Sequence, residues 1–306
     1  MSIPILLITG ATSGLGLNTV KLLAKKSRFD FIVGVRNPDR ATKLKSVVSR
    51  KRLTLLPLDL ASMSSVRQFA SAVIEHLGNR QLTAMALNAG IQITTGLEKS
   101  ADGYELTFAS NYLGHFLLTQ LLLPVLSQNA IVVSTASGTH DPQDRISKLF
   151  GFRGGFFPSD ETVVKGIIDT SVNQQQQCLD RYATSKLCNI LFTYDMARRV
   201  LPQTIRFFAF DPGLMPGTAL ARDRSAIEQF AWKYLLPLMR LFVPGVSSPH
   251  QSSLALSRLL SEPAIAHTTG THYDYQLRQT RTSIDSYRED WQNQLYDMSV
   301  RLSGLI

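Results

Sequence analysis

Thr9-Gly10-Ala11-Thr12-Ser13-Gly14-Leu15-Gly16 is the stretch whose reading decides the fold. It follows an apolar run at residues 3–8 and leads into a segment of helical period at 16–26. Glycines at this spacing permit a tight turn. They also let backbone N–H groups approach an anion, which then sits at the start of the next helix. A glycine-rich turn says little by itself. Between a first strand and a helix, at the head of an alternating series, it reads as a pyrophosphate cradle built from Gly10, Thr12, Ser13, Gly14, Leu15 and Gly16.

The series continues outward from this turn. Apolar, β-branched runs at 3–8, 31–35, 53–58, 82–87, 130–134 and 205–210 alternate with helical patterns at 16–26, 39–48, 64–76, 103–126 and 182–200. Near-continuous apolar strands separated by helices require a parallel sheet covered on both faces. We expect one doubly wound α/β domain over 1–306, a Rossmann fold of seven parallel strands with the last near 271–275. Ligands in such folds lie beyond the carboxyl ends of the strands. Asp59 and Ser62 stand where the third helix needs a cap.

The 306 residues are 44% hydrophobic and 18% charged, with two cysteines, Cys178 and Cys188, in no metal or disulfide pattern. A reducing compartment is therefore expected. No signal-peptide pattern and no apolar stretch of transmembrane length is present, so the chain reads as soluble and cytoplasmic. Net charge is +9, but the basic residues are scattered. The densest run, Lys43, Lys45, Arg50, Lys51 and Arg52, has the spacing of a solvated face, and no nucleic-acid module accompanies it. Residues 226–243 are strongly apolar around Pro237. They read as a lid over a pocket, with a peripheral membrane contact as the sharper alternative.

Three further positions carry chemistry. The second strand ends Val35-Arg36-Asn37, where an acidic residue would bond the ribose hydroxyl of NAD; Arg36 there suits the 2′-phosphate of NADP(H) instead. Tyr182-Ala183-Thr184-Ser185-Lys186 places a phenol and an ammonium on one helix face, and a nearby cation favours phenolate. Cys188 points away from that face and reads as a buried structural thiol. His115, on the long fourth helix, reads as a packing residue.

Together these elements resemble the short-chain dehydrogenase/reductase family up to about Thr218. The matching positions are the 9–16 turn, Asp59-Leu60, Asn88-Ala89-Gly90, Asn111 in Asn111-Tyr112-Leu113-Gly114-His115-Phe116, the Tyr182/Lys186 pair and Pro212-Gly213. The resemblance implies that Asp59 contacts the adenine. It implies that Asn88, Ala89 and Gly90 support the sheet beside the cofactor, and that Asn111 orders a relay water. Pro212, Gly213 and Thr218 would border the nicotinamide. The family also expects a hydroxyl donor after the fifth strand. Counting from the strand selects Thr135, the assignment we prefer; counting back from Gly138 selects Ser137.

One branch looks closer. Residues 58–67, 111–116 and 185–189, and an insert at 139–178, resemble light-dependent protochlorophyllide reductases and retinol-dehydrogenase-like enzymes. The former carry a cysteine directly after the Pro-Gly; this chain has Leu214. The expected reaction is NADPH-dependent reduction of a carbonyl, or oxidation of the alcohol. Light-driven double-bond reduction and a non-catalytic NADP(H) sensor are the alternatives. The insert and residues 219–262 are expected to roof the site. Their Phe150, Phe152, Phe156, Phe157, Phe230, Trp232 and Phe242 point to a bulky apolar substrate. Family members often pair through the fourth and fifth helices, so both monomer and homodimer stay open.

Overall fold

A computed structural model of the protein describes residues 3–26, 29–157, 160–201, 204–215, 245–262, 264–265 and 268–305. Seven parallel strands form one sheet: β1 Ile5–Thr9, β2 Asp30–Val35, β3 Leu53–Pro57, β4 Leu82–Leu87, β5 Leu126–Thr135, β6 Ile205–Asp211 and β7 Thr271–Asp274. Their order is β3-β2-β1-β4-β5-β6-β7. All five residues of β1 are buried, as a strand covered on both faces must be. The order reverses between β1 and β4. A crevice therefore opens beyond their carboxyl ends, where the 9–16 turn and residues 88–90 lie.

The helices are α1 Gly14–Lys26, α2 Thr42–Val47, α3 Met63–Leu77, α4 Leu106–Phe108, α5 Gly114–Leu122, α6 Arg145–Leu149, α7 Asp160–Lys165, α8 Gln174–Arg199, α9 Pro249–Ser261 and α10 Glu289–Leu302. Ser62 caps α3 by accepting from the Ser65 N–H at 3.3 Å. Lys43, Lys45, Arg50 and Lys51 are exposed while Leu44 is buried, so most of the basic run is a solvated face; Arg52 is half-buried and donates to the Phe29 carbonyl.

Two helices depart from the periodic reading. The helix expected at 103–126 begins at Leu106, capped by the buried Glu105, and passes through a π turn, Ala109–Leu113, before α5. Pro124 then sits in a short 3₁₀ turn and β5 begins at Leu126. Helix α8 starts eight residues before Tyr182: Asn173 caps it, and the glutamines at 174–177 form its first turn. The insert thus ends at Asn173 rather than 178. Strong helix formers extended a helix that apolar periodicity alone could not detect.

Helix α10 covers α5 and α8. Trp291, Leu295 and Met298 enter the core beside Phe116, Phe192 and Met196. The Tyr112 and Ser299 hydroxyls meet at 2.7 Å, and the Phe116 and Tyr296 rings pack edge-on at 5.5 Å. Leu295 is buried among these side chains. Leu295→Ala is expected to cost about 2–5 kcal/mol, read as a lower urea midpoint at unchanged slope. A loss within about 0.5 kcal/mol, the range of surface substitutions, would show that α10 is not part of the core.

Candidate active site

Gly10 adopts φ +67°, and a Cβ there would meet Ala89 Cα at 2.6 Å, so only glycine lets the turn close against the end of β4. Asn88 Nδ2 secures that contact, donating to the Thr9 and Gly10 carbonyls at 3.0 and 3.1 Å. Thr12 and Ser13 are exposed, a Cβ on Gly14 would meet only open space, and the first turn of α1 holds no acidic residue. These features fit a pyrophosphate. Leu15 and Gly16 are buried beneath the turn. Arg36 follows β2 directly and is exposed. Asp59 is exposed after β3 and bonds the Ala61 N–H through one oxygen; Leu60 is buried behind it. Thr218 and residues 219–244, with Phe230, Trp232 and Phe242, lie outside the described residues.

A polar network joins this side to the catalytic helix. The Thr9 hydroxyl accepts from the Asn88 and Ala89 N–H groups, both at 3.0 Å, and its own hydrogen goes to His115 Nε2 at 2.9 Å. His115 Nδ1–H then donates to the Asn111 carbonyl at 3.1 Å. Burial, reinforced by the Lys186 charge, holds His115 neutral with a pKa of about 4. Its reading as a packing residue understates it: His115 bridges the cofactor turn and the π turn.

The Asn111 side chain is fully engaged. Oδ1 accepts from the Ile91 N–H at 2.7 Å, while Nδ2 donates to the Ile91 carbonyl at 2.9 Å and to Ser185 Oγ at 3.0 Å. The expected water at Asn111 would have only the second lone pair of Oδ1 to bond, since both amide hydrogens are used. What the side chain does is hold the loop after Gly90 against α8. Gly90 lies beside both groups: a Cβ there would stand 3.4 Å from Asn111 Oδ1 and 3.6 Å from Lys186 Nζ, in ordinary van der Waals contact.

Lys186 is buried and donates to the Thr135 carbonyl at 2.9 Å, with Nζ 5.6 Å from the centre of the Tyr182 ring. Burial lowers its pKa to about 8, opposed by Asp211. Tyr182 departs from expectation. Burial, with Asp211 behind it, pushes its phenol up, and a hydrogen bond with Ser137 is what pulls it down. Desolvation sets the direction, and the lysine is not among the causes of the shift.

Of the two hydroxyl candidates, Ser137 and not Thr135 lines the cavity. The Thr135 carbonyl holds Lys186 and Asn189, while the hydroxyl of that residue is buried without a partner. Ser137, two residues further, borders a cavity of about 270 Å³ together with Tyr182. Phe150 and Phe152 line that cavity, with the Phe152 and Tyr182 rings 6.0 Å apart. Phe156 and Phe157 instead pack on Trp291. Gly213, Leu214 and Met215 close one side, and Ser247 and Ser252 anchor the Pro212 carbonyl at 2.6 Å each. Cys188 is fully buried and burial pushes its thiol up, in keeping with a structural role.

The opposite wall was missed in the sequence and is polar: His140, Asp211, His272, Asp274 and Arg278. It adds polar groups to a pocket whose aromatics pointed to a bulky apolar substrate. Two signals were available, namely Asp211 directly before Pro212-Gly213 and polar residues inside the last strand.

Residues 4–144 match the short chain dehydrogenase family. Protochlorophyllide reductases are similar along nearly the whole chain. That of Cucumis sativus is 28% identical over 97% of this chain and 77% of its own length, and that of Avena sativa 28% over 98% and 100%. The NADPH-bound carbonyl reductase from chicken fatty liver shares the fold, with TM-score 0.64, 19% identity and coverage of 92% of this chain and 94% of that one.

The His115 network has a pH signature. The folded pKa near 4 lies below the ordinary 6.5, so the unfolded chain binds the proton first as pH falls. Stability from keeping His115 neutral is complete above about pH 6.5 and lost towards 4. The stability advantage of wild type over His115→Gln, measured by urea unfolding, should therefore shrink from pH 6.5 to 4. A constant or growing advantage would contradict the neutral bridge.

Proposed function

The chain is a nicotinamide-dependent oxidoreductase of the short-chain dehydrogenase/reductase family, in its protochlorophyllide reductase-like branch, and we propose that it reduces a small-molecule carbonyl with NADPH, or oxidises the alcohol in reverse. The observation that carries this reading is the buried Tyr182 beside Ser137 at the cavity, with Lys186 beneath its ring. Gly10, Thr12, Ser13, Gly14, Asp59 and residues 88–90 would hold the cofactor, with Arg36 on the 2′-phosphate. A bound nicotinamide supplies the hydride.

The chain's own part is position and proton supply. Tyr182 and Ser137 hydrogen-bond the carbonyl oxygen, and Tyr182 releases its proton to that oxygen as negative charge develops there. The Lys186 ammonium, fixed by the Thr135 carbonyl, stabilises the phenolate left behind. Burial and the Asp211 charge oppose ionisation of Tyr182, so the proton moves only once a carbonyl oxygen can take it. Asn111 acts as a positioning residue for α8.

The second reading, light-driven reduction of a pigment double bond, is favoured by the names of the relatives. Against it stands Leu214, which lines the cavity where the resemblance places a cysteine. Two further parts of the proposal concern setting. Cys178 and Cys188 are free and buried, which suits a reducing, cytoplasmic location. Among the described residues no helix is long and apolar enough to cross a membrane. Helix α10 occupies the faces of α5 and α8 through which two copies would pair, so we read a monomer. Light scattering should return 34.0 kDa; twice that mass would overturn the assignment.

The deciding experiment is NADPH consumption in the dark across aryl and alkyl ketones and aldehydes, with an illuminated protochlorophyllide arm. Tyr182→Phe should lower dark turnover at least about a hundredfold while leaving NADPH affinity unchanged. Retained activity would remove Tyr182 as the proton donor, and turnover of the pigment only under light would select the second reading. Arg36→Asp should reverse the preference for NADPH over NADH by about ten- to a hundredfold. An unchanged ratio would dismiss Arg36 as the phosphate partner.

A further inference from the structure

The cavity wall beyond Tyr182 carries more charge than proton delivery to a carbonyl needs. Strands β5 and β6 are in register through Thr135 and Phe210, and β6 and β7 through Asp211 and Asp274. Parallel neighbours lie about 4.8 Å apart. Ser137, Asp211 and Asp274 therefore follow one another along the carboxyl edge of the sheet, and all three border the cavity with Tyr182.

Two neighbouring carboxylates repel, and only one of these is neutralised. Arg278 donates to Asp274 Oδ2 through Nε at 2.8 Å and Nη2 at 2.7 Å. Asp274 Oδ1 accepts the Gln276 and Arg278 N–H groups at 2.8 and 3.0 Å. Asp211 has no ion-pair partner among the described residues; Oδ1 accepts the Gly213 N–H at 2.8 Å, and Oδ2 makes no hydrogen bond there. The adjacent histidines supply no charge. His140 donates Nδ1–H to the Ser137 carbonyl at 2.7 Å and accepts the Ser283 N–H at Nε2, 3.1 Å away. Burial keeps both His140 and His272 neutral, with pKa values of about 4.

A second, independent group in the same wall also lacks a partner. His272 is 5% exposed and lines the cavity; Nδ1 meets the Thr280 hydroxyl at 2.7 Å, while Nε2 is buried and unbonded. His272 Nε2 is thus a buried polar atom that no described residue satisfies, and a polar group of a bound ligand would supply its partner. That group is a hydrogen-bond donor: burial raises the pKa of Asp211, and a donor to its free oxygen would favour the carboxylate form. It is neutral, because the Lys186 ammonium close by would repel a second cation. Asp211 stands one strand from Ser137, so the donor sits on the carbon next to the carbonyl that Ser137 and Tyr182 hold.

We propose that Asp211 is the specificity-determining residue of this site and that the substrate is a hydroxyketone or hydroxyaldehyde with the hydroxyl on the carbon beside the reacting carbonyl. The reduced partner is then a vicinal diol. Phe150 and Phe152 on the opposite wall receive the apolar remainder of such a molecule. This inference rests on the carbonyl-reduction reading given above.

The test compares phenacyl alcohol with propiophenone, which replaces the hydroxyl by a methyl group of similar size. NADPH consumption is followed in wild type and in Asp211→Asn, which keeps an oxygen for the Gly213 N–H. Calorimetry with NADP⁺-loaded Tyr182→Phe, with and without Asp211→Asn, reads binding of both ketones without turnover. Wild type should favour phenacyl alcohol by at least about tenfold in kcat/KM, the value of one charge-assisted hydrogen bond. Asp211→Asn should bring that ratio close to unity, with the loss in KM rather than kcat, and the calorimetric affinities should follow the same pattern. Equal kcat/KM for the two ketones in wild type, or a preference that survives Asp211→Asn, would overturn the assignment of Asp211 and leave carbonyl reduction standing. Asp211-dependent binding without turnover of either ketone would remove the reduction reading and keep Asp211 as the hydroxyl-binding residue. Neither binding nor turnover would overturn both.

Discussion

Lys186 carries its ammonium inside the protein, and a buried cation is tolerated only where fixed acceptors surround it. The acceptor here is the Thr135 carbonyl at the end of β5, which also takes the Asn189 side chain. Both donors belong to α8, so these two bonds set how the catalytic helix lies on the sheet. Tyr182 stands one turn before Lys186, and its position follows from theirs. Ser137 follows Thr135 by two residues in extended backbone, which carries it past the lysine to the phenol. One buried charge thus ties together strand, helix and reactive hydroxyls.

A second layer of polar contacts carries the same order across to the cofactor side. Thr9 at the end of β1, Asn88 and Ala89 after β4, His115 on α5 and the Asn111 carbonyl form a chain in which the donors and acceptors match. The Thr9–His115 and His115–Asn111 links are buried, so breaking one would leave an unmet polar group and not merely a lost contact. This explains why His115 must be neutral. A protonated ring would present a second donor to a Thr9 hydroxyl that already accepts two N–H groups. The π turn at Ala109–Leu113 belongs to this layer, placing Asn111 between the loop at Ile91 and Ser185 on α8.

The substrate side obeys different physics. Aromatic rings of the insert cover one wall, while the carboxyl ends of β6 and β7 bring Asp211, His272 and Asp274 to the other. Charge is offset at Asp274 by Arg278 and, among the described residues, left open at Asp211. A pocket with one greasy and one polar wall selects orientation as well as size, since only one pose of an amphipathic molecule satisfies both.

Local rules with short range made much of this protein legible from its residues alone. Apolar runs buried on both faces can only be strands of a covered parallel sheet, and all seven strands lie where their patterns stood. The glycine turn, Arg36 after β2 and the four-residue spacing of Tyr182 and Lys186 are likewise properties of a few adjacent residues. Three things required the tertiary structure. The choice between Thr135 and Ser137 depended on which side chain the strand end turns towards the cavity, and residues two apart in extended chain share a face until a turn intervenes. The early start of α8 at Gln174 rested on propensity and on the Asn173 cap, with no apolar stripe to mark it. The polar wall joins Asp211 to His272 and Asp274, some sixty residues further along the chain, and places them beside His140 of the insert. Sequence distance holds no record of such a meeting, because sheet register and not chain order brings those carboxyl ends side by side.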